Sequence, residues 1–153
     1  MYGLEIQIEN KYGKYIYELL KNTDVQRYMW QINSDDIVVK TKHGNKQGLF
    51  NKKWVNGHDF LEIIQKCDYY LIFADCKAFN CRKITRKILN GADMAESSEC
   101  ELVFMCTDSA NIEIYCKNKN IYNSIKQNCK DAEVLSCCDV ESKEIINRSM
   151  VAF

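Results

Sequence analysis

CDYYLIFADCKAFNC, residues 67–81, decides how the rest of the chain is read. Six apolar or aromatic residues run unbroken from Tyr69 to Ala74. A run that is apolar at both parities suits a strand with both faces covered, so the sequence predicts a strand at Tyr69–Asp75 in the interior of a sheet. Asp75 closes it, with Cys76 beside it. An unpaired charge is costly to bury, so the first polar residue after such a run ordinarily marks its exit into water. The other reading makes Asp75 a functional group at the mouth of the strand.

A second run of the same kind, CELVFMCT, predicts a strand at Cys100–Thr107. Asp108 follows in TDSAN, which reads as a turn whose acid bonds to the backbone. If the two strands were parallel neighbours, Asp75 and Asp108 would emerge at one sheet edge, where α/β sheets often hold their sites. Antiparallel strands would place them at opposite ends.

Working outward, Leu4, Ile6 and Ile8 alternate with polar residues and predict a strand at Gly3–Glu9. Tyr12, Ile16, Leu19 and Leu20 recur at helical spacing over Tyr12–Lys21. Tyr28–Asn33 and Asp36–Lys40 read as two strands joined at NSDD, and 41–53 as a polar loop. Asn56 can cap a helix over Gly57–Lys66. Residues 82–89 are ambiguous, and a short helix is expected at Ala92–Ser98. Ile112, Ile114 and Cys116 alternate in a further strand, and Asn118 can cap a helix to about Lys130. Short strands are expected at Glu133–Ser136 and Ser149–Phe153. Strands and helices mix without regular alternation. The expectation is one α+β domain over 1–153: a single mixed β-sheet of about seven or eight strands with three or four helices packed on it.

The totals fit that picture. The 153 residues are 27% charged and 46% apolar, ordinary for a globular chain. No apolar run nears the ~20 residues that span a bilayer. MYGLEIQIEN lacks the basic-then-apolar pattern of a signal peptide, so a cytoplasmic protein without membrane contact is expected. The nine cysteines are then expected to stay reduced. There is no proline, and Lys, Asn and Ile are abundant, as in AT-rich genomes. Net charge is zero, yet residues 1–90 carry 15 basic against 10 acidic side chains, and residues 91–153 carry 6 against 11. Mutual attraction of the two halves within one domain explains this more simply than a polyanion-binding surface.

IENKYGKYIYELL, YYLIFADCKAF, CELVFMCTDSANIEIYCK and RSMVAF together resemble a family of small uncharacterised proteins, catalogued as a domain of unknown function, from Gram-positive, mostly spore-forming bacteria. The resemblance spans nearly the whole chain and rests on strand patterns. It implies one intact bacterial domain and brings no reaction, ligand or partner.

No complete catalytic constellation is present. Asp75 and Asp108 are the candidate acid/base or metal pair. The cysteines lack the paired short spacings of zinc sites: Cys76 and Cys81 are five apart, and the adjacent Cys137 and Cys138 point opposite ways in a strand. Cys67, Cys106, Cys116 and Cys129 fall at apolar positions and read as small hydrophobes. His43 and His58 read as solvated. Lys40, Lys42, Lys46, Lys52 and Lys53, with Phe50 and Trp54, form a basic segment that can grip phosphates and stack a base; the competing reading is a solvated loop whose aromatics fold back on the core. No phosphate-binding glycine loop or nucleophile elbow occurs, and no cofactor or metal is implied. The sequence thus favours a non-enzymatic binding or interaction module with an unknown protein partner. A homodimer is expected if the helices leave one sheet face bare. A small enzyme using Asp75 and Asp108 is the alternative, and weak nucleic-acid binding through 40–54 the second.

Overall fold

The computed structural model describes residues 1–9, 11–80 and 100–140. In chain order these form β1 (Tyr2–Gln7), α1 (Tyr15–Leu20), a 3-10 turn (Val25–Arg27), β2 (Tyr28–Thr41), β3 (Gly44–Gln47), β4 (Trp54–Asn56), α2 (Gly57–Lys66), β5 (Tyr69–Asn80), β6 (Cys100–Thr107), β7 (Asn111–Cys116), α3 (Lys119–Asp131) and β8 (Ser136–Val140). The eight strands make one sheet in the order β3-β2-β5-β6-β7-β1-β8, with β4 also pairing β2. Every pairing among the described residues is antiparallel, which corrects the mixed sheet expected from sequence. The segments predicted at 82–89, Ala92–Ser98 and Ser149–Phe153 lie outside the described residues.

The two apolar runs do lie side by side in the interior, as β5 and β6. β5, however, continues five residues past Asp75 to Asn80. The NSDD stretch is not a hairpin. β2 runs through it as one 14-residue strand, and Asn33 is the extra residue between the Ile32–Cys76 and Ser34–Asp75 pairs. The acids there hold a neighbouring loop instead. Asp35 accepts backbone N–H bonds from Leu49 (2.7 Å), Phe50 (2.7 Å) and Asn51 (2.9 Å), and Asp36 accepts from the Gln47 amide. Part of the expected polar loop is β3, which pairs back on β2 through a turn at Thr41–Gly44.

One face of the sheet carries the main core. Trp30, Ile37, Tyr69, Leu71, Ala74, Cys76, Phe104, Ile112, Ile114, Leu4 and Ile6 point to the side where all three described α-helices pack. Each helix offers a buried stripe at helical spacing: Tyr15, Ile16, Leu19 and Leu20; Phe60 and Ile64; Ile121, Ile125 and Cys129. The Asn56 side chain caps α2 by accepting from Asp59 N–H at 2.9 Å, and Asn118 caps α3 from Asn120 and Ile121. Phe60 stacks on Trp30 with ring centroids 3.8 Å apart. Buried Asn128 of α3 donates to the carbonyls of Leu19 (2.9 Å) and Lys21 (2.6 Å), satisfying the end of α1.

α2 approaches the 3-10 turn so closely that its first residue has no room for a side chain. A Cβ on Gly57 would stand 2.0 Å from the Gln26 carbonyl oxygen, a backbone atom that cannot swing aside. Gly57→Ala is therefore expected to cost about 3 kcal/mol, the upper end for overpacking. Urea unfolding of the variant against the parent chain measures it; an unchanged midpoint would mean that the helix and the turn do not meet as described.

Candidate functional site

The opposite face of the sheet is built differently. Strand alternation sends Gln31 of β2, Asp75 and Lys77 of β5, Val103 and Met105 of β6, and Glu113 and Tyr115 of β7 to this side. The register aligns them in two cross-strand rows. Gln31, Lys77, Val103, Tyr115 and Gly3 make one; Ser34, Asp75, Met105, Glu113 and Glu5 make the next. Phe79, Cys100, Val103, Met105 and Tyr115 form a second apolar cluster, with Trp54 and Val140 packed against it. Met105 is 1% and Val103 3% exposed within the single chain, so a second subunit is not needed to bury them.

Polar groups are embedded among these apolar side chains. Lys77 is 1% exposed, Asp75 5%, Glu113 9% and Gln31 fully enclosed. The Lys77 ammonium donates to Asp75 Oδ1 in a buried ion pair. Two residues apart on one strand, the two side chains necessarily share a face, and each compensates the other's desolvation. Gln31 sits directly across from Lys77, yet neither its amide nitrogen nor its oxygen has a hydrogen-bond partner. Native proteins pair the great majority of buried side-chain polar atoms, so such an exception requires a reason. A carboxamide presents two N–H donors and an acceptor oxygen side by side. Gln31 thus stands beside the Lys77–Asp75 pair in an apolar frame, while Glu113 on β7 lies three strands from it, ~14 Å at the usual strand spacing.

The residues singled out from sequence fall elsewhere or play other parts. Asp75 does not mark an exit into water; Lys77 is what lets the strand carry a carboxylate inside. Asp108 does surface. It is exposed, with Asp108 (φ 51°) and Ser109 (φ 63°) in the left-handed region at the β6–β7 turn, where Asp is better tolerated than most residues. Asp75 pairs with Met105, three positions before Asp108, so the two acids stand roughly 10 Å apart along the sheet. The structure does not bring them within a shared metal's reach. Among the described residues no group of three or more His, Cys, Asp or Glu is placed to hold a metal ion.

Lys40, Lys42, Lys46, Lys52 and Lys53 are all exposed, as are His43 and His58. Lys52 and Lys53 border a shallow open cleft of about 450 Å³ beside Asp35 and Gly48. The aromatics of the basic segment fold inward: Phe50 is buried against Phe60 at 5.2 Å, and half-buried Trp54 packs on Phe79 at 5.8 Å. Burial pushes the thiols of Cys106 and Cys116 up to about 12, in keeping with their reading as small hydrophobes; it does the same to Cys100 and raises Cys76 well above its usual value.

The sequence reading missed Gln31, Lys77 and Glu113. Asp75-Cys76-Lys77 carried a usable signal: opposite charges at i and i+2 can neutralise each other inside a strand. Gln31 carried none, because one polar residue between Trp30 and Ile32 looks like ordinary alternation toward solvent.

Comparison with known proteins fits the resemblance at its coarser level, a bacterial family of unknown function. The model of a family described as a protein of unknown function (DUF2691) matches residues 1–150. A Bacillus subtilis (strain 168) relative, named uncharacterized protein YncE, is 29% identical over 140 residues, covering 88% of this chain and 91% of the relative. No solved structure matches the chain. No helix among the described residues is long and apolar enough to cross a membrane.

Removing one partner of a buried ion pair strands the other charge. Lys77→Met is expected to destabilise the fold by about 3–5 kcal/mol, while the double variant Asp75→Leu/Lys77→Met recovers most of that loss. A double-mutant cycle by urea denaturation reads the coupling; additive effects would show that the two side chains do not depend on each other.

Proposed function

We propose that this chain, which belongs to the DUF2691 family, is a non-enzymatic binding module whose ligand site is the enclosed polar group formed by Gln31, Lys77 and Asp75. The observation that carries this reading is the Gln31 carboxamide: fully enclosed, unpaired at both polar atoms, and set beside a buried ion pair. An unmet buried amide costs about 1–3 kcal/mol, a loss that a ligand supplying the missing bonds would recover. The chemistry that fits is a small molecule with an amide-like edge, an acceptor next to a donor, as in a carboxamide or a nitrogen heterocycle. Apolar contacts to Phe79, Val103 and Met105 would add affinity without specificity.

The enzyme alternative needs Asp75 and Asp108 to act on one substrate, and the strand register separates them. The nucleic-acid alternative keeps its exposed lysines but lacks free aromatic faces for stacking, because Phe50 and Trp54 are turned toward the core. Neither has an observation of the weight of Gln31 behind it.

Function and structure make opposite demands at this position, which gives a test. Gln31→Leu is expected to raise the apo protein's stability by about 1 kcal/mol, because it removes an unsatisfied buried group. It should also abolish any thermal shift that nucleobases, nucleosides or free amino acids and their amides produce in the parent chain. Destabilisation by Gln31→Leu, together with no shift by any of these probes in the parent chain, would remove the basis of the proposal.

A further inference from the structure

Two tyrosines meet outside the core, at one end of the second sheet face. Tyr69 points to the helices and donates to the Ile64 carbonyl, so Tyr70, its neighbour on β5, points to the other side. Tyr12, in the turn before α1, is carried to the same place because Gly13 and Tyr69 exchange backbone hydrogen bonds at 3.0 and 2.9 Å. The Tyr12 and Tyr70 ring centroids are 5.4 Å apart, with the planes inclined at 49°. Tyr12 is 38% exposed and Tyr70 half-buried. Val38 of β2 lies across from Tyr70, and Lys40, two residues on, shares its face. The Lys40 ammonium stands 5.9 Å from the centre of the Tyr12 ring.

β3 extends this surface outward. Asn45 lies opposite Lys40 and Gln47 opposite Val38, both exposed, with Lys42 in the turn between β2 and β3. Gln47 also lines the open cleft that Lys52 and Lys53 border. Lys40, Lys42, Lys46, Lys52 and Lys53 have no ion-pair partner among the described residues. The acids around them are occupied: Asp68 by Lys14 at 2.7 Å, Asp36 by the Gln47 amide, and Asp35 by the three backbone N–H groups of Leu49, Phe50 and Asn51. Positive charge is thus left unopposed beside an exposed aromatic pair.

We propose that the Tyr12–Tyr70 pair and the lysines beside it bind single-stranded nucleic acid, with a base on the tyrosines and the phosphates along Lys40, Lys42 and the β3 edge. The nucleic-acid reading set aside above relied on Phe50 and Trp54. Here the aromatic faces come from β5 and the turn before α1, outside the basic segment. Every base has a π-face, so such a platform tolerates any sequence, but it needs bases that are not already stacked in a duplex. The lysines attract single and double strands alike; the tyrosines supply the preference for the single strand. An ammonium over an exposed ring is held only weakly, so Lys40 can leave Tyr12 for a phosphate and free that ring face as the base arrives. This surface is separate from the enclosed amide. Tyr70 and Lys77 are seven residues apart on β5, roughly 20 Å, so either site can fail without the other.

The experiment titrates the full chain into a short labelled oligo(dT) strand, and into the same strand paired as a duplex, and follows fluorescence anisotropy from about 50 to 200 mM salt. The parent chain should bind the single strand several-fold more tightly than the duplex. Tyr12→Ala should weaken binding by about tenfold, and Tyr12→Phe, which keeps the ring, should not. Lys40→Gln and Lys42→Gln should each weaken binding and reduce the salt slope by about 0.7. Lys130→Gln, exposed on α3 at the other face of the sheet, and Gln31→Leu should bind as the parent does. Tyr12, Lys40 and Lys42 are exposed, so their variants are expected to fold, and circular dichroism checks it. No binding at low salt, equal affinity for duplex and single strand, a loss with Tyr12→Phe equal to that with Tyr12→Ala, or an effect of Lys130→Gln as large as that of Lys40→Gln would each overturn the proposal.

Discussion

An ammonium and a carboxylate two residues apart on a strand must lie on one face of the sheet, and here that face is closed to water. The Lys77–Asp75 pair is the constraint on which the second face depends. With both groups charged and paired, β5 can run through the middle of the sheet as a 12-residue strand. Without Lys77, the same strand would leave an unpaired carboxylate beside Met105, and burial would cost several kilocalories per mole rather than stabilise. Such a pair contributes little net stability compared with well-packed apolar residues of the same volume.

The sequence revealed those parts of the fold where one periodicity acted alone. α2 lies where Asn56 and the Phe60–Ile64 spacing place it, and β6 spans the same Cys100–Thr107 read from its apolar run. Charges are where local pattern misleads. Asp75 looks like the end of a strand because its compensating charge, Lys77, lies two residues further on. Asp35 and Asp36 look like turn formers, but their carboxylates reach across to Leu49–Asn51 and Gln47, a tertiary role that local spacing does not encode. Strand direction was equally hidden: a strand apolar on both faces says that both are covered, not which way its neighbours run.

The candidate site was almost wholly illegible for a related reason. Gln31 comes from β2 and Asp75 and Lys77 from β5, and they meet only through the pairing of those two strands. No short motif holds them. Strand exits and lysine-rich loops, where sites often sit, are here turns, surface or inward-folded aromatics. The cysteines are more legible, because Cys106, Cys116 and Cys129 are buried as their apolar positions suggest.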